Sequence, residues 1–262
     1  MEFKLRATRR LIRQQSDGLA DRLDRLVSAD WRRTTPCPEW TLADIVAHLS
    51  SGAQVQLRAL ERGLKGDVSP VFTSPAERAA LTEAKLSLPE PARAADYRQE
   101  TDRLLSCMDA LTEADMAMSA WHQSGVHPLP WFLVQRLGET TMHRGDIHEG
   151  LDESFEYPDD VAEVLLPDYV ARLPRMLDRD RAGELRAVIS FGAAGGIRIA
   201  PGTADYVPSA EQPNVVLDAP AAALLRVATG RLHPQDGVAS GRVRAFGDTV
   251  LLTRWRDLFR TL

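Results

Sequence analysis

The chain has 262 residues, of which 44% are hydrophobic, enough to bury the core of one large domain or of two smaller ones. Its formal net charge of -5 provides no positive surface for nucleic acid or an anionic membrane, so we expect neither as a partner. No apolar run is long enough to span a bilayer, and the first residues are too polar for a signal peptide, which predicts a cytoplasmic protein. Two cysteines, Cys37 and Cys107, do not indicate a disulfide framework.

The first half of the chain begins with two helical patterns separated by a loop. Residues 3–27 place apolar side chains at helical spacing between charged ones, which predicts an amphipathic helix. Residues 28–40 contain two prolines and two tryptophans and predict a structured loop, which Trp40 is expected to pack. Thr41 followed by Asp44 resembles a capping box and predicts the start of a second helix.

Two further helices are predicted in this half. Residues 63–94 are rich in Pro, Gly and Ser, which indicates a long connection with at most one short helix, and such connections are often functional. A third helix is predicted from about Ala95, and residues 121–130 then break the helical pattern. Pro130 and Gly150 suit the two ends of a fourth helix. Four long helices with a long crossover predict a four-helix bundle, in which metal sites are commonly built from facing side chains.

The fourth predicted helix carries a polar stripe beside its apolar side. At about 100° per residue, the side chains of Gln135, Glu139, His143 and Asp146 fall within a narrow arc. Glu139 and His143 therefore either form a hydrogen bond that solvates the helix edge or provide two metal ligands. His148 lies about 180° around the helix from Glu139 and is interpreted as a surface residue.

A metal site would need a third ligand from elsewhere in the chain. Among the remaining histidines, only His48 is predicted to lie on a bundle helix beside an apolar side. His48 is either a core histidine or the residue that completes a His-His-Glu set with Glu139 and His143. Such a set suits zinc with an open fourth position, and Asp146 would then orient a ligand from outside the set.

The second half of the chain mixes strands with helices. After a helix over about 160–177, residues 185–191 and 196–200 alternate like two strands joined by a glycine-rich turn, which predicts a hairpin and not a dinucleotide-binding loop. The other predicted elements are a strand over 214–218, a short helix over 220–229, a strand over 241–246 and a closing helix capped by Asp248.

This change of pattern predicts two domains. We assign a four-helix bundle to residues 1–157, and a linker helix with a small α+β domain to residues 158–262. The predicted fold class is therefore mixed, with an all-helical domain followed by a smaller domain that contains a sheet.

Four segments of the sequence resemble a known family. Residues 38–49 read PEWTLADIVAHL and residues 138–146 read GETTMHRGD, which together resemble the signature of the mycothiol-dependent maleylpyruvate isomerase family, within the DinB-like superfamily of metal-binding four-helix bundles. Residues 224–234 (LLRVATGRLHP) and 244–252 (RAFGDTVLL) are similar to the sterol-carrier-like domain of such proteins. The resemblance covers nearly the whole chain, and the members of the superfamily act on unrelated molecules.

The resemblance implies a metal centre and a thiol cosubstrate. His48, Glu139 and His143 would bind zinc or another divalent metal, and the fourth position would take water or the sulfur of mycothiol. A metal-bound thiol loses its proton and becomes a nucleophile at neutral pH. Such an enzyme would act on a small electrophile, either as an S-transferase by displacement or as an isomerase by addition, rotation and elimination. Cys37 and Cys107 need not take part, since the cosubstrate brings the sulfur.

Arginines are the expected anchors for an anionic thiol or a carboxylate substrate, because a guanidinium binds carboxylates in bidentate fashion. The resemblance implies that an arginine of the second domain faces the zinc. Arg242 and Arg244, on one face of the last predicted strand, are the catalytic candidates, and Arg231, Arg144 and Asp146 are the cofactor-binding candidates. The alternatives are that these arginines are surface residues and that Arg144 and Asp146 form a structural ion pair.

Two other functions stay open at this point. The same three ligands would serve a thiol-independent hydrolase, since zinc lowers the pKa of bound water to about 7. A bundle without catalytic activity, whose second domain binds an apolar ligand or a partner, is the third possibility.

Overall fold

The structure, a computed structural model, describes residues 4–259, so that residue 3, where the first predicted helix begins, lies outside it. The chain divides into two compact units between Phe155 and Glu156. The first unit is helical apart from one hairpin, and the second combines helices with a five-stranded sheet, which is the predicted fold class. Within residues 4–259, none of the helices has both the length and the apolar character that crossing a bilayer requires.

The first unit is built on four long helices. Its elements are α1 (Leu5–Leu23), α2 (Leu42–Gly63), α3 (Pro75–Leu86), α4 (Glu90–Ala110), β1 (Ser119–His122), β2 (Gly125–Pro128) and α5 (Leu129–Gly150). α2 packs against α4 and α1 against α5, and the α1–α4 and α2–α5 contacts close the bundle. The shorter helix α3 lies on α2, and none of its residues is buried.

Two features of this unit differ from the expectation. α4 begins at Glu90, before the predicted start at about Ala95, because Pro89 and Pro91 occupy the cap and the first turn, where proline is tolerated. The segment before α5 forms the antiparallel hairpin of β1 and β2, whose four-residue strands are too short to give a clear alternating pattern.

The start of α2 is fixed by the predicted capping box. The Thr41 hydroxyl accepts a hydrogen bond from the backbone N–H of Asp44, and the Asp44 carboxylate accepts one from the backbone N–H of Thr41 at 2.8 Å. Thr41 also pairs with Thr34 in an isolated β-bridge, so the preceding loop is attached to the helix start. Trp31 and Cys37 of that loop are buried in the core, as expected for a structured loop.

The second unit surrounds a mixed sheet. Its elements are α6 (Asp159–Met176), α7 (Arg179–Ala182), β3 (Ala187–Ser190), β4 (Gly196–Ala200), β5 (Thr203–Val207), β6 (Val215–Asp218), α8 (Ala221–Ala228), α9 (Pro234–Ala239), β7 (Arg244–Gly247) and α10 (Trp255–Leu258). The strand order is β5-β4-β3-β6-β7, with β3 and β4 forming the predicted antiparallel hairpin and β3 and β6 pairing in parallel. α6 packs on β4, β5 and α8.

The end of this unit corrects two predictions. β7 begins at Arg244, so Arg242 precedes the strand and the two arginines do not share a strand face. The Asp248 side chain makes no capping hydrogen bond, and its backbone N–H donates to the Asn214 carbonyl at 2.8 Å beside the end of β7. The predicted closing helix is instead a 3-10 segment, Thr249–Arg254, followed by the short α10.

We predict that Thr41→Ala lowers the free energy of unfolding by about 1 kcal/mol, because it removes the hydroxyl that satisfies a backbone N–H at the start of α2. Thr41→Ser keeps that hydroxyl and should retain most of the stability. Urea unfolding of the three proteins provides the comparison, and equal midpoints for Thr41→Ala and the unsubstituted protein would contradict a stabilising cap.

Candidate functional site

Two helices of the bundle bring His48, Glu139 and His143 together. Glu139 Oε2 lies 3.0 Å from His48 Nε2 and 3.7 Å from His143 Nε2. The two imidazole rings meet edge to face with their centroids 5.2 Å apart, and one ligand atom from each residue lies within 4.8 Å of the others. The one-turn spacing on α5 aligns Glu139 with His143, and the α2–α5 contact supplies His48.

The group opens to solvent on the side of His48. The exposed fraction of the side chain falls from 31% for His48 to 24% for Glu139 and 10% for His143. Gly52 follows His48 by one helical turn, and a Cβ atom placed on it would meet no other atom within 4 Å. The α2 surface beside His48 is therefore not covered at Gly52.

The far side of the His143 ring is held by buried polar groups. His143 Nδ1 lies 2.9 Å from Asp146 Oδ2, and Asp146 is only 1% exposed. The thiol of Cys37 donates to the same carboxylate oxygen at 3.2 Å. This arrangement leaves Nε2 as the nitrogen that faces Glu139, which is the orientation that a carboxylate partner gives to histidines in metal centres.

The second oxygen of Glu139 is also occupied. Gln135 Nε2 donates to Glu139 Oε1 at 3.2 Å, and the Gln135 carbonyl oxygen accepts a hydrogen bond from Gln56. The predicted stripe of Gln135, Glu139, His143 and Asp146 on α5 thus forms one connected polar network, to which α2 contributes Gln56 and His48.

Charge within the bundle strongly perturbs Glu139. Burial alone would raise the pKa of its carboxyl group, but the hydrogen bond from His48 and the charges of His143, His48 and Arg136 lower that pKa to about 2. Arg136 is 1% exposed and donates to the Leu49 carbonyl at 3.2 Å and to the Thr101 hydroxyl at 3.1 Å. Glu139 therefore stays ionised at neutral pH.

His143 is perturbed in the opposite sense. Burial lowers the pKa of its imidazole, but the hydrogen bonds with Asp146 and Cys37 and the charge of Glu139 outweigh burial and raise that pKa to about 9. In the protein without a metal ion, the imidazolium form is thus favoured at neutral pH, and a cation that binds at Nε2 displaces a proton.

Three residues of the site were missed by the sequence reasoning. Trp40 does more than pack its loop, because its ring lies 5.0 Å from the His48 ring and 6.0 Å from the His143 ring between centroids. Cys37 contacts the polar network from the loop, and the charge of Arg136 acts on Glu139 from the bundle core. No local pattern marks any of the three, because each reaches the site through tertiary contacts.

A fourth missed residue, Arg78, comes from α3. Its guanidinium donates to the Ser51 hydroxyl at 3.1 Å and to the Thr82 hydroxyl at 2.5 Å. Burial lowers the pKa of the Arg78 guanidinium, and the charge of Glu139 partly opposes that effect. Ser51 in turn donates to the His48 carbonyl at 3.1 Å. The S-P-A-E sequence of residues 74–77 is an N-terminal helix signature that would have predicted α3.

Arg144 and Asp146, the predicted cofactor-binding residues on α5, point to different neighbours. Arg144 donates to Gln15 at 3.2 Å and lies 5.1 Å from the centre of the Phe155 ring, on the side of α1. Asp146 contacts His143 and Cys37 instead. A role for Arg144 in binding a cofactor stays a prediction.

His148 corrects one prediction and agrees with another. Its side chain is only 16% exposed, lies 2.7 Å from Glu153 and stacks on Phe155, so the interpretation as a surface residue is wrong. The cause is the turn after α5, which folds back over the helix end. In the described part of the chain, His148 is not a member of either group of side chains with metal-ligand geometry.

The predicted arginine anchors of the second unit are engaged in local contacts. Arg242 lies 3.3 Å from Glu156, and Arg244 lies 2.6 Å from Asp218, its cross-strand partner on β6. Arg231 donates to the Thr229 carbonyl at 2.8 Å. Their catalytic or cofactor-binding roles stay predictions.

The helical bundle with its histidine and glutamate group, followed by an α+β unit, defines a two-domain protein. Residues 12–148 match the family model of the mycothiol maleylpyruvate isomerase N-terminal domain, and residues 180–260 match the SCP-2 sterol transfer family. Because the first match spans more than half of the chain, the chain belongs to the mycothiol-dependent maleylpyruvate isomerase family.

Solved structures show the same fold. The chain is 19% identical to a mycothiol-dependent maleylpyruvate isomerase, with a TM-score of 0.69 and 92% of each chain covered. A mutant of such an isomerase gives 18% identity, the same TM-score of 0.69 and the same 92% coverage of each chain. A comparison with curated protein sequences found no match.

We predict that Asp146→Asn lowers the pKa of His143 from about 9, because the carboxylate that stabilises the imidazolium is lost while the burial that opposes it remains. An NMR titration of the histidine ring signals in metal-free protein measures the shift. The contribution of this group to stability is complete below its ordinary pKa of 6.5 and disappears as pH rises through about 9, so Asp146→Asn should also weaken that pH dependence. An unchanged pKa of His143 would contradict the assigned contact.

Proposed function

We propose that this protein is a metal-dependent enzyme that uses mycothiol as a cosubstrate to isomerise a small electrophilic substrate. The observation that supports this proposal is the convergence of His48, Glu139 and His143 in a chain of this family. The related structures are described as mycothiol-dependent maleylpyruvate isomerases, which favours isomerisation over S-transfer as the outcome.

The three side chains fit a divalent metal such as zinc. Two imidazole nitrogens and one carboxylate oxygen are typical ligands of catalytic zinc, which binds each at about 2.0–2.2 Å and keeps a fourth position open. The separations of 3.0 and 3.7 Å between these atoms are close to those between neighbouring ligands around such an ion. A metal held there would supply Lewis acidity that deprotonates a coordinating thiol at neutral pH.

The chain's own residues prepare this site. Asp146 fixes the His143 ring so that Nε2 faces the ligand point, and Gln135 holds the second oxygen of Glu139. The Trp40 ring lies beside both imidazoles, with its centroid 5.0 Å from that of His48 and 6.0 Å from that of His143. The ligand atoms are therefore held in place before a substrate arrives, which lowers the reorganisation that the reaction requires.

A cation is also present for an anionic substrate group. Arg78 reaches the Glu139 side of the site from α3, and its hydrogen bonds go to the neutral Ser51 and Thr82 hydroxyls. A guanidinium in this setting suits a carboxylate of the substrate. Arg242 and Arg244 of the second unit are the alternative anchors that the family resemblance implies.

Isomerisation follows from reversible attack by the cosubstrate thiolate. The sulfur forms a bond to one carbon of an activated double bond, whose electron pair moves onto the neighbouring electron-withdrawing group. Rotation about the resulting single bond and loss of the same sulfur then restore the double bond in the other geometry. Displacement of a leaving group by the same thiolate would give S-transfer.

The proposal predicts about one divalent metal per chain and binding of mycothiol that depends on this metal. Mass spectrometry of the native protein measures the metal, and calorimetric titration of mycothiol into metal-loaded and chelated samples measures the dependence. Metal without thiol binding would favour a hydrolase, and a protein that takes up no metal would contradict the proposal.

Substitutions at the ligands provide the matched controls for this experiment. His48→Ala, Glu139→Ala and His143→Ala should each lower metal occupancy, because each removes one of three ligands. His148→Ala should leave the occupancy unchanged, since this histidine lies outside the ligand group. A loss at His148 as large as that at His143 would contradict the assigned ligand set.

We further predict that Arg78→Ala raises the KM for maleylpyruvate about tenfold or more while metal content is unchanged, because a charge-assisted hydrogen bond contributes about 1.5–3 kcal/mol. Arg78→Lys keeps the charge but loses the bidentate geometry, so its KM should lie between those of the unsubstituted protein and Arg78→Ala. Steady-state kinetics with saturating mycothiol measures the effect, with Arg242→Ala and Arg244→Ala assayed in parallel. A normal KM for Arg78→Ala beside a raised one for Arg242→Ala would assign the anchor to the second unit.

A further inference from the structure

Cys37 occupies an unusual position for a residue with no role in the proposed reaction. It is 8% exposed, and its Sγ lies 3.2 Å from Asp146 Oδ2 and 4.0 Å from His143 Nδ1. The same oxygen of Asp146 lies 2.9 Å from His143 Nδ1. One carboxylate oxygen therefore receives two donors, one from the loop before α2 and one from α5.

The backbone of the loop holds this thiol in place. The Cys37 N–H donates to the Thr35 hydroxyl at 3.2 Å, and the Cys37 carbonyl accepts from the Trp40 N–H at 3.1 Å. The Thr35 hydroxyl also donates to the Trp40 carbonyl at 3.0 Å. The position of the sulfur is thus set by a closed turn that also carries Trp40, and not by free rotation of an exposed side chain.

We propose that Cys37 is a positioning residue for the metal centre, which acts by donating its S–H to Asp146 and thereby fixing the orientation of the His143 ring. This inference rests on the proposed function, since it assigns a purpose to the contact only if His143 is a metal ligand. The thiol lies on the Nδ1 side of the ring, whereas Nε2 faces Glu139. Cys37 therefore acts through Asp146 and does not contribute the nucleophilic sulfur.

The size of the effect follows from the place of Cys37 in this chain of contacts. Loss of a hydrogen-bond partner of a metal-binding histidine weakens metal affinity by about 10- to 100-fold. Cys37 is one contact further out, so Cys37→Ala should weaken zinc binding by about tenfold, the lower end of that range. Cys37→Ser replaces the S–H by an O–H donor and should recover at least part of this loss.

The experiment measures zinc affinity by competition with a chromogenic chelator, together with the absorption spectrum of the cobalt-loaded protein, for the unsubstituted chain, Cys37→Ala and Cys37→Ser. The matched control is Cys107→Ala, the other cysteine, which should change neither measurement. We expect Cys37→Ala alone to weaken binding and to alter the ligand-field bands, because the His143 ring is then less constrained.

A second pair of variants separates positioning from general loss of packing. If Cys37 acts through Asp146, then Cys37→Ala on the Asp146→Ala background, which has no acceptor for the thiol, should cause almost no further loss of zinc affinity. Additive losses in this cycle would overturn the inference. So would wild-type zinc affinity in Cys37→Ala, with the ligand variants still losing metal as proposed.

Two further outcomes are distinguishable. A thiolate-to-metal charge-transfer band in the cobalt-loaded protein that disappears in Cys37→Ser would overturn the positioning role and make Cys37 a ligand, with His143 and Asp146, of a separate centre. An unsubstituted chain that takes up no metal would overturn the proposed function, and this inference with it.

Discussion

The carboxylate of Glu139 is the interaction on which the first unit depends, because it is an ionised group, only 24% exposed, at the contact between two helices of the bundle. An unpaired charge in this place would be strongly destabilising. His48 and His143 contact one of its oxygens, Gln135 contacts the other, and the charge of Arg136 adds to theirs. The arrangement is stable only while these partners stay in register, so α2 and α5 must pack in one relative position.

The loop between α1 and α2 helps to maintain that register. Its last residues form the capping box that starts α2, seven residues before His48, and its turn at Cys37 contacts Asp146 on α5. The same short segment therefore fixes the start of one ligand-bearing helix and touches the other. This explains why Cys37, in an apparently irregular stretch with two prolines, is buried in the core.

The sequence predicted what depends on local periodicity. Helical spacing placed Glu139, His143 and Asp146 on one stripe and excluded His148, and the structure agrees with this geometry. The contacts of Cys37, Trp40 and Arg136 depend on which helices become neighbours, and no spacing along the chain encodes that. Arg78 was not predicted as a site residue for another reason. The prolines and glycines around α3 obscure its helical pattern, and no residue of α3 is buried, so the helix has no clear apolar face.

The geometry also bears on why such a site would take its thiol from outside the chain. Cys37 is the cysteine nearest to the group, but its sulfur approaches the Nδ1 side of the His143 ring and is committed to Asp146. The most exposed side of the group is that of His48, whose side chain is 31% exposed. In the proposed function, the nucleophilic sulfur would come from a second molecule on this exposed side, while the Cys37 thiol stays bonded to Asp146.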